Sequence, residues 1–297
     1  MLSGFLITLL LFEEMRFTGT VSLRQFYMRR TLRIFPLYFL SLLIAPLLQY
    51  VGLIRLSSCT YWFAFTYTIN FAPKECVFTS YSHFWSLAVE EHFYLLWPLI
   101  FLLCRRWALV ITVLFVLICW IVSENGYSWF APFSDKYFVN RWTIPAAAPI
   151  AVGCIGAYLC GNKYLARAFE KVGGIILGAS LFAIVYPWDN NFGVCLAVLG
   201  VTIFIFLKQN AALTRILEWR PLAWIGTISY GLYVWQGVLG GNGTYREFPA
   251  FPPPLYEGLA WAFVASVASF YLFEKPIMRL KHRFTWRRGP QAMSVVR

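Results

Sequence analysis

A chain of 297 residues that is 60% hydrophobic, 20% aromatic and only 13% charged stands far from the average soluble domain, in which roughly a quarter of residues are charged. That composition excludes an ordinary soluble domain and implies an integral membrane protein. A net charge of +12 would suit nucleic acid if it lay along one soluble face. Here the basic residues fall in several short stretches between apolar runs, so nucleic acid is excluded as a partner.

The first apolar run, Met1 to Phe12, is shorter than the roughly 17 residues a spanning helix requires, and it reads as the second half of a helix. With no basic stretch and no small-residue cleavage site after Met1, it does not read as a cleavable signal peptide. The next stretch, SLRQFYMRRTLRIFPLYF (22–39), places Arg29, Arg30 and Arg33 just before an expected span at 34–54. Arg30 and Arg33 share one side of a helical turn, and Pro36 suits a first turn, where its missing N–H costs little. Guanidinium forks beside a helix N-terminus would hold a cytoplasmic phosphate or pyrophosphate. Anchoring by positive charge on the cytoplasmic side explains the same arginines without a ligand, and both readings stand.

The aromatic segment 61–72 is too short to span and reads as interfacial or re-entrant. Cys59 and Cys76 fall in one loop with it. They could pair in an oxidising compartment or remain two thiols. The other five cysteines, Cys104, Cys119, Cys154, Cys160 and Cys195, lie in or beside spans and read as small core residues. Without a CxxC or a histidine cluster, no metal site is expected.

The span at 82–104 opens with four ionisable side chains, His83, Glu90, Glu91 and His92. At 100° per residue His83, Leu87, Glu90 and Tyr94 form one stripe, while Glu91 and His92 point elsewhere. Ionisable groups inside a membrane usually face a cavity, so the stripe reads as the lining of a substrate pocket. A structural hydrogen-bond network would use the same residues.

Further spans are expected at 107–123, 144–161, 172–187, 191–207, 223–240 and 255–273. Within 223–240 the aromatic stripe of Tyr230, Tyr233 and Trp235 reads as packing, whereas the Gln236 amide calls for partners inside the bundle. Twenty basic residues fall in loops on one side and five on the other, which places the C-terminus in the cytoplasm. The expected fold is an all-α polytopic transmembrane helix bundle of about eight full spans plus a truncated N-terminal helix. There is no P-loop, G-x-S-x-G, HExxH or dinucleotide fingerprint.

Five stretches in order carry a resemblance: LSGFLIT (2–8), RRTLRIFPLY (29–38), SHFWSLAVEEHFYLLWP (82–98), ISYGLYVW (228–235) and YLFEKPIMRL (271–280). Together they resemble the membrane acyltransferase-3 family of O-antigen and exopolysaccharide O-acetyltransferases. The resemblance implies a ten-helix bundle in the bacterial inner membrane. Such a protein moves an acyl group, commonly acetyl, from acyl-CoA (acetyl-CoA) as co-substrate to a hydroxyl of a sugar, cell-surface glycan or lipid-linked saccharide. No bound cofactor and no metal are implied. The R-x-x-R motif matches Arg30 and Arg33, giving them the acyl-CoA phosphates. The H-x-W-S-L…E…Y motif matches His83, Trp85, Ser86, Glu90 and Tyr94. His83 with Glu90 then forms the catalytic pair, and Trp85, Ser86, Tyr94 and Gln236 line the substrate site among membrane lipids. Glu274 and Pro276 match a closing, structural E-x-P.

Two departures follow from the same resemblance. Family members usually carry a first helix with an arginine and a histidine before the SGFLIT segment, so a single domain over 1–297, N-terminally truncated and ending in a basic cytoplasmic tail at 275–297, is expected. Either a mis-assigned start codon or a truncated gene would explain it. Gln236 stands where many relatives have histidine, which leaves one candidate base fewer. The rival readings are a flippase or transporter of a polar lipid-linked glycan, and an inactive relic.

Overall fold

The computed structural model describes residues 1–51, 54, 56–77, 81–161, 164, 167–168, 171–173, 175, 177–180, 191–207, 212–239 and 255–284. Among them run helices α1 (Leu2–Thr18), α2 (Leu23–Tyr50), α3 (Ser58–Phe65), α4 (Lys74–Val77), α5 (Phe84–Leu103), α6 (Ala108–Trp129), α7 (Ala131–Ser134), α8 (Thr143–Ala146) and α9 (Ala148–Gly161). They continue as α10 (Asn191–Leu207), α11 (Ala212–Leu217), α12 (Arg220–Leu239), α13 (Leu255–Ser269) and α14 (Lys275–Met278). The fold is the expected helical bundle: among the described residues, extended pairing is confined to an isolated bridge between Pro73 and Tyr137. Leu23–Tyr50, Phe84–Leu103 and Ala108–Trp129 are long and apolar enough to cross a membrane. The expected span at 172–187 lies partly, and the tail beyond Phe284 wholly, outside the described residues.

The chain divides into two compact units, the first made of Met1–Thr20, His92–Trp129 and Trp142–Ala223, the second of Val21–Glu91, Phe130–Arg141 and Trp224–Arg297. In the first, α1 runs six residues past the expected Phe12, because the polar FEEMRF stretch is still a good helix former. It closes at Gly19, whose φ of 77° suits only a residue without Cβ and whose N–H bonds Met15 O at 3.0 Å. Helices α1 and α9 meet backbone to backbone. A Cβ on Gly4 would fall 2.0 Å from Ile150 O, and one on Gly153 would fall 2.1 Å from Met1 O. Small residues permit such approach where apolar burial gives no drive for helices to associate. Trp97 Nε1 donates to Thr8 Oγ1 at 2.9 Å, and Phe12 sets its ring edge-on to Phe101 and Tyr158. The span expected at 144–161 is split into α8 and α9 at Ala147, between Pro145 and Pro149, each lacking the N–H that a continuous helix uses.

In the second unit α2 begins eleven residues before the expected span. Ser22 caps it by accepting from Gln25 N at 3.4 Å, and the LRQFYMRR stretch continues it without interruption. Arg29, Arg30 and Arg33 therefore sit within the helix rather than ahead of it, and Pro36 is an interior residue. The eight residues of α3 rise about 12 Å, too little to cross a bilayer, in agreement with the non-spanning reading of 61–72. A disulfide joins Cys59 to Cys76 with their Cα atoms 5.8 Å apart, fastening α3 to α4. Lys74 Nζ donates to Ser134 O at 2.7 Å, tying this loop to α7. After α13 come a π-helical turn, Phe270–Glu274, then α14 and a 3-10 turn, Arg279–Phe284, that packs along α2.

Candidate functional site

The expected site residues concentrate in the second unit, at two levels of α2. At the lower level Arg29, Arg30 and Arg33 project from α2, and Arg29 Nη1 donates to Phe284 O at 2.9 Å, which pins the 279–284 turn. Lys281 on that turn is half-buried. Burial, and then the charges of Arg33, Arg29 and Arg30, lower its pKa below the ordinary lysine value. Arg33 is the cation felt by Glu274, a buried carboxylate that also accepts from Ser269 Oγ at 3.5 Å. Arg30 is the cation felt by Glu91.

Higher up, His83 occupies the turn just before α5. Its ring stands edge-on to Phe84 and to Tyr233, with centroids 4.6 and 5.2 Å away. The Tyr233 hydroxyl donates to His83 O and shares a hydrogen bond of 2.8 Å with Ser86 Oγ; the charge of Glu90 reaches the same hydroxyl. One turn on from Tyr233 lies Gly237, where a Cβ would stand 2.0 Å from the imidazole. Bare backbone is what makes room for the ring. Trp85 carries the Arg141 guanidinium over its face at 5.5 Å, and that guanidinium also lies 4.1 Å from the Phe138 ring centre.

Between the levels Glu91 acts on Tyr38, Tyr67 and Tyr230. Tyr38 is buried, donates to Ala64 O at 2.6 Å and stacks on Tyr67 at 4.1 Å. Tyr230 donates to Ile34 O at 2.7 Å. Tyr67 holds a left-handed backbone, φ 57°, uncommon for a bulky residue. Burial, and then Tyr230, Tyr38 and Glu91, raise its phenol pKa well above the ordinary value. The Tyr67 hydroxyl and Glu91 Oε1 are both buried and make no hydrogen bond among the described residues.

The structure thus brings Arg30 and Arg33 together at one end and His83, Ser86 and Glu90 around Tyr233 at the other. Glu91 lies off the His83 stripe, as its register requires, within electrostatic reach of Arg30 and Tyr38 on α2 and of Tyr67 and Tyr230. Tyr94 is buried in the first unit. Gln236 is the correction: it is exposed rather than turned into the interior where its partners were expected. Its neighbours Trp235 and Gly237 take the inward positions instead, Trp235 donating to Ser269 Oγ at 3.1 Å. Sequence reasoning missed Tyr38, Tyr67, Lys281 and the polar part played by Tyr230 and Tyr233. The interrupting hydroxyls of ISYGLYVW were the available signal. In the first unit His92 Nδ1 lies 2.8 Å from Thr143 Oγ1 beside a cavity of about 100 Å³.

Over residues 1–273 the chain matches the profile of the acyltransferase-3 family, described as an acyltransferase domain. The chain belongs to this family. It is similar to the peptidoglycan O-acetyltransferase OatA of Listeria monocytogenes, 24% identical over 97% of this chain and 53% of that protein. The putative peptidoglycan O-acetyltransferase YrhL of Bacillus subtilis is 26% identical over 93% of this chain and 49% of its own length. The O-acetyltransferase OatA of Staphylococcus aureus is 26% identical over 94% and 51%. The chain therefore spans about half the length of the curated relatives it matches. No solved structure is a significant match. Family membership and the long apolar helices make this a multi-pass membrane protein.

Proposed function

We propose that this chain is a membrane O-acetyltransferase that moves an acetyl group from cytoplasmic acetyl-CoA to a hydroxyl of a cell-wall glycan. The observation that carries the reading is the two-level arrangement in one unit: a cation cluster at the end of α2, and His83, Ser86, Tyr233 and Glu90 gathered farther along the same bundle. Seven residues separate Phe84, the first residue of α5 and the neighbour of His83, from Glu91, about 10 Å of helical rise, so a donor anchored by its phosphates at one level would present its thioester toward the other. The relatives named as peptidoglycan O-acetyltransferases support the glycan as acceptor.

In this reading Arg30 and Arg33 hold the donor phosphates. His83 takes the proton from the acceptor hydroxyl as its oxygen attacks the thioester carbonyl. The C–S bond then breaks, and the leaving thiolate receives the proton from His83. Tyr233 and Ser86 fix the backbone that carries the imidazole, and Glu90 tunes it. The Cys59–Cys76 disulfide supports an oxidising compartment for its loop. The shared position of Arg29, Arg30, Arg33 and Lys281 supports a cytoplasmic C-terminus in a bacterial inner membrane.

The test is release of free CoA from acetyl-CoA by the purified full chain in the presence of peptidoglycan. His83→Ala should lower turnover about 100-fold, the lower range of general-base effects, with KM for acetyl-CoA unchanged, while Arg33→Ala should raise that KM. Glycan-dependent CoA release that is absent from the wild type would sink the reading.

A further inference from the structure

We propose that the first unit binds an anionic phospholipid in a groove beside α1, with the headgroup phosphate on Arg16 and Arg105 and an acyl chain along the apolar wall next to them. None of these residues enters the acyl-transfer reading above, so the two stand or fall separately. The groove has a volume of about 900 Å³, toward the upper end of the volumes that take whole small ligands. Helix α1 contributes Leu6, Leu10, Glu13 and Arg16 to it, while α5, α6 and α10 contribute Phe101, Leu109 and Phe206. Arg105 lines it from two residues past the end of α5.

Polarity changes along the groove in the way a phospholipid does. From Leu6 to Arg16 the wall of α1 runs about 15 Å at 1.5 Å per residue, the depth of one leaflet of a hydrocarbon core roughly 30 Å thick. Its charged residues come at the helix ends: Arg16 in the last turn of α1, Glu13 one turn before it, Arg105 just after α5. Both arginines are exposed, open to a headgroup at the membrane surface. With a carboxylate set beside two guanidiniums, the single charge of a phosphodiester is a better match than a diphosphate. Shape adds a second argument. A convex apolar helix face is simply what lipid requires, but an acyl chain lying in a groove is touched from several sides and gains dispersion contacts there. The guanidiniums then select its headgroup through charge-assisted hydrogen bonds. Tyr158, three residues before the end of α9, stands in the same wall, and its hydroxyl makes no hydrogen bond among the described residues. Phospholipid ester carbonyls, next to the phosphate, are acceptors of the kind this hydroxyl lacks. A protein helix in the groove would cover the leucines but bring no anion to its rim.

Native mass spectrometry tests this on the purified full chain, stripped of lipid in detergent and titrated with dioleoyl phosphatidylglycerol or dioleoyl phosphatidylcholine. A single phosphatidylglycerol should be retained about tenfold more tightly than phosphatidylcholine, the size expected of arginines that meet an anionic headgroup. Arg16→Gln combined with Arg105→Gln should abolish that preference and leave phosphatidylcholine binding as it was, which shows that the variant is folded. Leu10→Trp adds bulk to the groove from an exposed position and should weaken retention of both lipids. Equal retention of the two lipids by the wild type would overturn the proposal and leave the groove an ordinary lipid-facing surface. A preference that survives the double arginine substitution would put the anionic lipid elsewhere on the protein and overturn it too. A dimer that retains no lipid and is broken by Leu10→Trp would make the occupant a second copy of the chain, which also overturns it.

Discussion

In the first unit α1 and α9 meet through the closeness of bare backbone, whereas the second unit ties its segments together with tyrosine hydroxyls. Where α1 meets α9, Gly4 and Gly153 leave no space for a single Cβ. In the second unit four tyrosines, Tyr38, Tyr81, Tyr230 and Tyr233, donate to the backbone carbonyls of Ala64, Ser41, Ile34 and His83 in other segments. Both answer the same problem. Lipid tails are as apolar as leucine, so helices in a membrane associate through van der Waals contact or through hydrogen bonds. Only the second solution also sets polar groups at fixed positions, and the residues proposed for acyl transfer lie in that unit.

Three substitutions test that contrast. Gly153→Leu should have the largest effect, destabilising the protein by about 3 kcal/mol or more through overpacking against the Met1 carbonyl, read as a lowered thermal midpoint and loss of a monodisperse peak. A stable variant would mean that α1 and α9 are not packed through their glycines. Gly237→Ala should act in the opposite manner. The atom it meets belongs to a movable imidazole, so stability should change little. Turnover should fall about tenfold as His83 is displaced, and unchanged glycan-dependent CoA release would remove His83 from the chemistry. Smallest is Tyr38→Phe, which deletes the bond to Ala64 O while keeping the stacked ring and should cost about 1 kcal/mol. An unchanged thermal midpoint would show that the tyrosine hydroxyls do not hold the second unit.

Whatever repeats locally along the chain was legible in the order of its residues. Apolar runs long enough to span, the three-residue spacing of Arg30 and Arg33 and the different faces of Glu90 and Glu91 all follow from helix geometry, which needs no partner to be known. Reading by sequence misjudged boundaries that depend on a single cap, as at Ser22, where α2 starts well ahead of its apolar run. The face of Gln236 also escaped it, because polarity alone does not say which side of a helix is packed. Tertiary structure decided what each face meets: Glu91 finds Arg30, Tyr233 finds the His83 carbonyl, and Lys281 arrives beside arginines some 250 positions earlier, through a turn pinned by a bond between residues 255 apart. Such pairings are chosen by packing among distant segments, and helical periodicity carries no information about them.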